Sequence, residues 1–381
     1  MIYLDHNATT PLDKRVLEAM MPYLTSFYGN PSSLYRAGRI ARGAVETARE
    51  QVAALVGTHP SQLIFTSGGT EANNLALKGL AATLPVGTVA VGATEHPSVL
   101  ETVKALKKFG WSVRTIAVDQ NGRIDRAALD RMGAGDVRFA SIMLANNETG
   151  VIQDVASLAG ILRAHNVLYH CDATQAAGKI PVDFSSCGAH LMSLSGHKLY
   201  GPKGVGALII DRSVALEAIL HGGGQEKTLR GGTENVAALV GFGRAAEIAL
   251  DELEQRRRHL LMLRERLEHG LNAMPSVTIF AQQAERLPNT VQFGVNGMDG
   301  EMLLMEFDRR GIAISSGSAC ASGGREPSHV LQAMGIEPSL ARSAIRVSLG
   351  VSNSEQDIAR FLAVLQELVP EREAAHALGI G

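Results

Sequence analysis

Between residues 62 and 210 the sequence alternates short apolar runs with longer amphipathic stretches, and few chain topologies tolerate that pattern. The runs at 62–66, 88–91, 112–117, 137–144, 167–170, 191–194 and 205–210 read as strands. Residues 72–81, 98–108 and 155–165 have the length and apolar spacing of crossover helices. Strands that alternate with helices predict an α/β fold with a mostly parallel sheet covered on both faces.

The flanks follow other rules. Thr10, Pro11 and Asp13 read as an N-cap, a first helical residue and a dipole-favoured acid, which predicts a helix to about Leu24. A second helix is expected over 37–56, stopping at Gly57. Residues 235–271 lack Pro and are rich in Ala, Leu, Glu and Arg, so one long helix or two in line should link two domains. Beyond it, an apolar run at 289–295, a helix at 300–309, a strand at 312–315, a run at 344–349 and a helix near 354–368 predict a smaller α+β unit.

Charge narrows the partners. Lys and Arg number 36 against 38 Asp and Glu, so no electrostatic footprint for nucleic acid or an anionic membrane is present. No apolar stretch reaches the roughly 18 residues of a membrane span, and MIYLDHNATT has no basic segment followed by an apolar one. A soluble cytoplasmic protein is expected. Cys171, Cys187 and Cys320 are an odd number in a long chain, which argues for reduced thiols.

Ligands of open α/β sheets bind beyond the carboxyl ends of the strands, so the polar clusters that follow the apolar runs carry the chemistry. They are 66–71 (TSGGTE), 146–150 (NNETG), 172–175 (DATQ) and 195–198 (SGHK). The first joins a strand to a helix through two glycines, a plausible phosphate cradle without the Walker A spacing; no GxGxxG follows a strand, which disfavours a dehydrogenase. Lys198 sits among glycines after a strand, where a partly desolvated amine can form a Schiff base. Asp172 lies 26 residues earlier at another strand end, and a Lys and an Asp on one pocket are what pyridoxal phosphate requires. Cys320 lies in 315–324, where every residue is Ser, Gly, Ala or Cys, and it reads as a mobile, reactive thiol. Cys171 and Cys187 read as small buried hydrophobes. A metal site from Cys171, Cys187 and His190 with His170 or His197 matches no compact zinc signature.

At these residues the sequence resembles the cysteine desulfurases of the NifS/IscS kind, pyridoxal-phosphate enzymes of the aspartate-aminotransferase fold. The likeness spans nearly the whole chain: YLDHNATTP, GNPSS, FTSGGTEANN, TEHPSV, ANNETGVIQD, HCDATQAAGK, SLSGHKLYGPKGVG, RGGTEN, LPNT, SSGSACASG, EPSHVL and IRVSLG. TEHPSV and RGGTEN lean toward the NifS side, and the tail PEREAAHALGIG differs from the docking segment of housekeeping members.

The resemblance implies a homodimer with a large cofactor domain over about 15–255 and a small domain from 1–14 and 256–381 that carries the Cys loop at about 315–324. It implies that Lys198 bonds to the cofactor aldehyde, Asp172 pairs with the pyridine nitrogen, His96 stacks on the ring and Gln175 bonds the phenolic oxygen. Gly69, Thr70, Ser195 and His197 would hold the phosphate, with Thr233 reaching across from the other subunit; Asn147 and Arg346 would hold the substrate carboxylate. The implied reaction converts L-cysteine to L-alanine, with the sulfur carried as a persulfide on Cys320. Delivery to an iron–sulfur scaffold of the NifU/IscU type, or to another acceptor, would make Cys320 at most a transient cluster ligand. The alternatives are selenocysteine lysis, cysteine sulfinate breakdown or transamination on the same cofactor, and a fold kept only for binding.

Overall fold

The computed structural model describes residues 1–133, 135–316 and 327–369. In chain order its first elements are β1 (Ile2–Tyr3), α1 (Lys14–Thr25), α2 (Arg36–Leu55), β2 (Leu63–Thr66), α3 (Gly69–Thr83), β3 (Thr88–Gly92), α4 (Pro97–Leu106) and β4 (Ser112–Ile116). Next come α5 (Arg126–Gly133), β5 (Val137–Ser141), α6 (Val155–Ala164), β6 (Leu168–Asp172), α7 (Phe184–Cys187), β7 (Leu191–Ser195), β8 (Gly206–Ile210), α8 (Val236–Asp251) and α9 (Leu253–Asn272). The last are β9 (Val277–Ile279), β10 (Thr290–Val295), α10 (Gly300–Arg309), β11 (Ile312–Ala313), β12 (Ser315–Ser316), α11 (His329–Ala333), α12 (Pro338–Arg342), β13 (Ile345–Ser348) and α13 (Glu355–Leu368).

The seven apolar runs form one sheet in the order β2-β8-β7-β6-β5-β3-β4. Neighbours from β7 through β4 are parallel, while β8 runs antiparallel between β2 and β7. The reversal follows from length: only residues 196–205 separate β7 from β8, and a parallel crossover needs about a dozen or more. Side chains alternate across the sheet. In β2, Leu63 and Phe65 join the apolar cluster of α1, α2, α6 and α8, while Ile64 joins that of α3 and α4.

A second, four-stranded antiparallel sheet has the order β12-β13-β10-β9. Its own cluster contains Leu4, Leu263 and Leu267 of α9, Phe307 of α10 and Phe361 of α13, with the last two rings stacked at 4.7 Å. β1 crosses from the amino end to pair in parallel with β11.

Two local expectations change. Asp13, not Thr10, caps α1 by accepting from the Arg15 N–H, because the Thr10 hydroxyl instead donates to the carbonyl of His197 and accepts from the Tyr200 N–H. The 235–271 segment is two helices that meet at Glu252, one of the two forms expected. The strand expected at 312–315 is two, since β11 pairs with β1 and β12 with β13. Among the described residues no helix is long and apolar enough to cross a membrane.

Candidate active site

The loops that leave β2, β3, β5, β6 and β7 at the carboxyl edge of the large sheet enclose a cavity of about 280 Å³. Gly69, Thr70, His96, Asn147, Asp172, Gln175, Ser195, His197 and Lys198 all line it, so the four polar clusters of the sequence meet in one place.

Asp172 ends β6 and is held on both oxygens. Oδ1 accepts from the Thr174 N–H at 2.9 Å, and Oδ2 from Asn73 Nδ2 at 2.8 Å. Lys198 closes the single turn after β7, where its Nζ donates to the carbonyls of Asn7 at 2.6 Å and Ala8 at 2.7 Å. His96 caps α4: its Nδ1 accepts from the Ser98 N–H at 3.1 Å and lies 2.7 Å from Ser98 Oγ. Burial lowers the proton affinity of this ring, and because Nδ1 accepts from the Ser98 N–H the ring proton sits on Nε2.

An adjoining pocket of about 290 Å³ shares Gly69, Thr70, Ser195 and His197 and adds Lys203. The start of α3 forms the shared wall, and a helix start offers unpaired N–H groups and partial positive charge to an anion. Glu71 keeps this turn in place by accepting from the Ser67 N–H and pairing with Arg230. Burial, then Lys198, Lys203 and Lys179, hold the His197 imidazole down to about 4.

Other expected residues stand apart. Arg346 of β13 is buried but does not line the cavity; its Nη1 donates to the carbonyl of Asn147 at 3.0 Å and its Nη2 to Asp5 Oδ1 at 2.7 Å. Thr233 lies exposed before α8 and lines neither pocket. Cys320 and the tail 370–381 lie outside the described residues. Cys171 and Cys187 are buried, and a hydrogen bond between them raises the proton affinity of Cys171 and lowers that of Cys187.

The sequence reading missed Asn7, Asn73, Glu95 and Lys179. Asn73 follows Gly69 by one turn of α3, a spacing that places it beside the cradle. Asn7 carries no such signal, because its partner Gln175 is 168 positions away. Glu95, next to His96, accepts from the Met143 N–H at 2.8 Å, and complete burial pushes its proton affinity well above the carboxylate range.

An amine and a buried carboxylate on one cavity, beside an anion seat at a helix start, make the donor set of a pyridoxal-phosphate enzyme. The walls fit that group. Thr174 Oγ1 and Asn73 Oδ1 are buried without a partner, and a Cβ at residue 69 would come within 3.0 Å of Thr174 Oγ1, so glycine keeps the cradle open. The fold and the site thus define a pyridoxal-phosphate enzyme of the class-V aminotransferase family, whose model matches residues 2–361.

Within that family the chain belongs to the cysteine desulfurases. A cysteine desulfurase IscS of Klebsiella pneumoniae (strain 342) is 44% identical over 364 residues, covering 94% of this chain and 90% of that protein. A solved NifS-like protein superposes with a TM-score of 0.91 at 38% identity, covering 96% of this chain and 98% of that one. The structure of SspA in complex with cysteine gives a TM-score of 0.81 at 31% identity over 92% of this chain and 99% of that one.

Proposed function

We propose that this enzyme takes sulfur from L-cysteine, holds it as a persulfide on Cys320 and releases L-alanine. The observation that carries the reading is the placement of Lys198 and Asp172 on one cavity, in a chain whose relative SspA has been solved with cysteine bound.

Pyridoxal phosphate, when bound, supplies a sink for the electron pair left when the substrate Cα–H bond breaks. Gly69 and Thr70 with Ser195 and His197 would hold its phosphate, joined by Thr233 from a second copy of the chain. Asp172 would serve the pyridine nitrogen, His96 the ring and Gln175 the phenolic oxygen. Lys198 would hold the aldehyde through Nζ, and as a free amine the same Nζ would take the proton from the substrate Cα. Asn147 and Arg346 hold the substrate carboxylate, for which Arg346 exchanges part of its bonding to Asp5. The Cys320 thiolate then attacks the substrate sulfur. The Cβ–S bond breaks, sulfur stays on Cys320, and the bonding pair goes to carbon, which gains a proton as alanine forms. His96 lines the same cavity, and its imidazole would move a proton there by taking one up before giving it to carbon.

The reading includes a large domain over about 15–255 and a small one from 1–14 and 256–381, supported by the apolar cluster that the second sheet has of its own. It includes a homodimer, supported by exposed apolar side chains gathered at Leu17, Met21 and Leu24 of α1 and at Tyr28, Leu34 and Tyr35. The acceptor is an iron–sulfur scaffold or another thiol-bearing protein, in the cytoplasm.

Incubation of the pyridoxal-phosphate-loaded protein with L-cysteine and a dithiol should yield equal, catalytic amounts of alanine and sulfide. Cys320→Ala should end sulfide release while leaving the visible spectrum in place. Unchanged turnover in that variant, or neither product from the native enzyme, would sink the persulfide reading.

A further inference from the structure

Behind Gln175 lies a second amine, and this one is buried. Lys179 is 7% exposed, and its Nζ donates to Gln175 Oε1 at 2.7 Å and to Asn7 Oδ1 at 2.9 Å. Both partners are neutral amides, and among the described residues no carboxylate pairs with it. Burial and then the cations Lys198 and Arg346 oppose its protonation, and it in turn opposes protonation of His6 and His197.

A carboxamide in a cavity wall can face inward with either end, as acceptor or as donor. Donation by Lys179 settles the choice for Gln175. With Oε1 committed to Nζ, the NH₂ end is turned the other way, where Nε2 donates to the Asn7 carbonyl at 3.0 Å. That carbonyl is also the one that receives Lys198 Nζ. The Asn7 amide is fixed by the same donor: Oδ1 accepts from Lys179 and from Asn289, so Nδ2 donates to Thr290 Oγ1 and to the Asn147 carbonyl.

We propose that Lys179 is a positioning residue that fixes the amide of Gln175 so that an NH₂ donor, not a carbonyl, faces the cofactor. The inference rests on the reading that Gln175 bonds the phenolic oxygen. A donor at that oxygen opposes protonation of the bound chromophore, so losing it raises the pH at which the visible absorption band titrates.

The test compares that titration in the loaded native enzyme, Lys179→Met, Gln175→Leu and the double variant. Both single variants should raise the midpoint, Gln175→Leu by about one pH unit, or tenfold in proton affinity, and the double variant should rise no further than Gln175→Leu. An unmoved midpoint in Gln175→Leu would defeat the reading of Gln175 itself. A shift in Gln175→Leu with none in Lys179→Met, or additive shifts in the double variant, would overturn the role of Lys179. Should Lys179→Met fail to fold, Lys179→Gln, whose shorter side chain withdraws the donor from Gln175 Oε1, reads out the same midpoint.

Discussion

Asn73 Nδ2 donates to Asp172 Oδ2 at 2.8 Å and to Ser98 Oγ at 2.9 Å, which joins the carboxylate to His96 through one amide and one hydroxyl. Because Ser98 Oγ accepts from Asn73, its own proton is directed to His96 Nδ1. One side chain of α3 therefore orients both the acid and the ring. Asn73→Ala should leave Asp172 turned toward water and weaken pyridoxal-phosphate binding by on the order of tenfold, as expected for losing a hydrogen bond to a charged group. Titration of the apoenzyme with cofactor, followed by absorbance, checks it; native affinity would show that Asp172 needs no such support.

A Cβ at residue 206 would stand 2.6 Å from the carbonyl carbon of Gly68 and 2.7 Å from the Leu194 carbonyl oxygen. Both neighbours are backbone, so no rotamer relieves the clash. Gly206→Ala should push the start of α3 away from β8 and cost about 1–3 kcal/mol of stability, seen as a lower unfolding midpoint. Because the displaced turn carries Gly69 and Thr70, cofactor affinity should fall with it. A variant that loses stability but keeps native affinity would separate the anion seat from β8.

Cys171 and Cys187 are 0% and 5% exposed and spend their thiols on each other. A thiol reagent applied to the native protein should modify Cys320 and spare both. After L-cysteine without reductant, peptide mass spectrometry should find the added sulfur on Cys320. Labelling of Cys187 in the folded protein would reopen its role.

Burial first, then Lys179, holds His6 down to about 4; burial does the same for His170, and burial with Lys198, Lys203 and Lys179 for His197. An unfolded histidine titrates near 6.5, so below that pH the unfolded chain takes up protons that the folded one refuses. Stability is then lost as pH falls toward 4, by about 1.4 kcal/mol per pH unit for each such histidine. The raised carboxyls Glu95 and Glu148 act in the opposite sense, but they oppose five histidines once the lowered His96 and His190 are included. The urea midpoint of the apoenzyme should be lower at about pH 5 than at about pH 7. A midpoint that holds or rises on acidification would mean these imidazoles are solvated.

What could be read in advance was what repeats or clusters locally. Strand ends mark where chemistry gathers, so Asp172, Lys198, Gly69 and Asn147 were legible from their position after apolar runs. Neither the reversed β8 nor the capping role of Asp13 carries a periodic signal: the first depends on a connection too short to cross over, the second on Thr10 being needed by His197 and Tyr200. Asn7 and Lys179 stayed hidden because what they do is hold other side chains. A residue whose partners are 168 and 172 positions away leaves no spacing to recognise.

The amino-terminal strip gives the site a schedule as well as a shape. Asn7 donates its N–H to Ser348, 341 positions later, while its carbonyl clamps Lys198. A ribosome makes the clamp 341 residues before the serine that seats it. The lysine meant for an aldehyde is therefore given its fixed address by a contact that local folding cannot supply, and the site takes shape only when β13 folds back onto the strip.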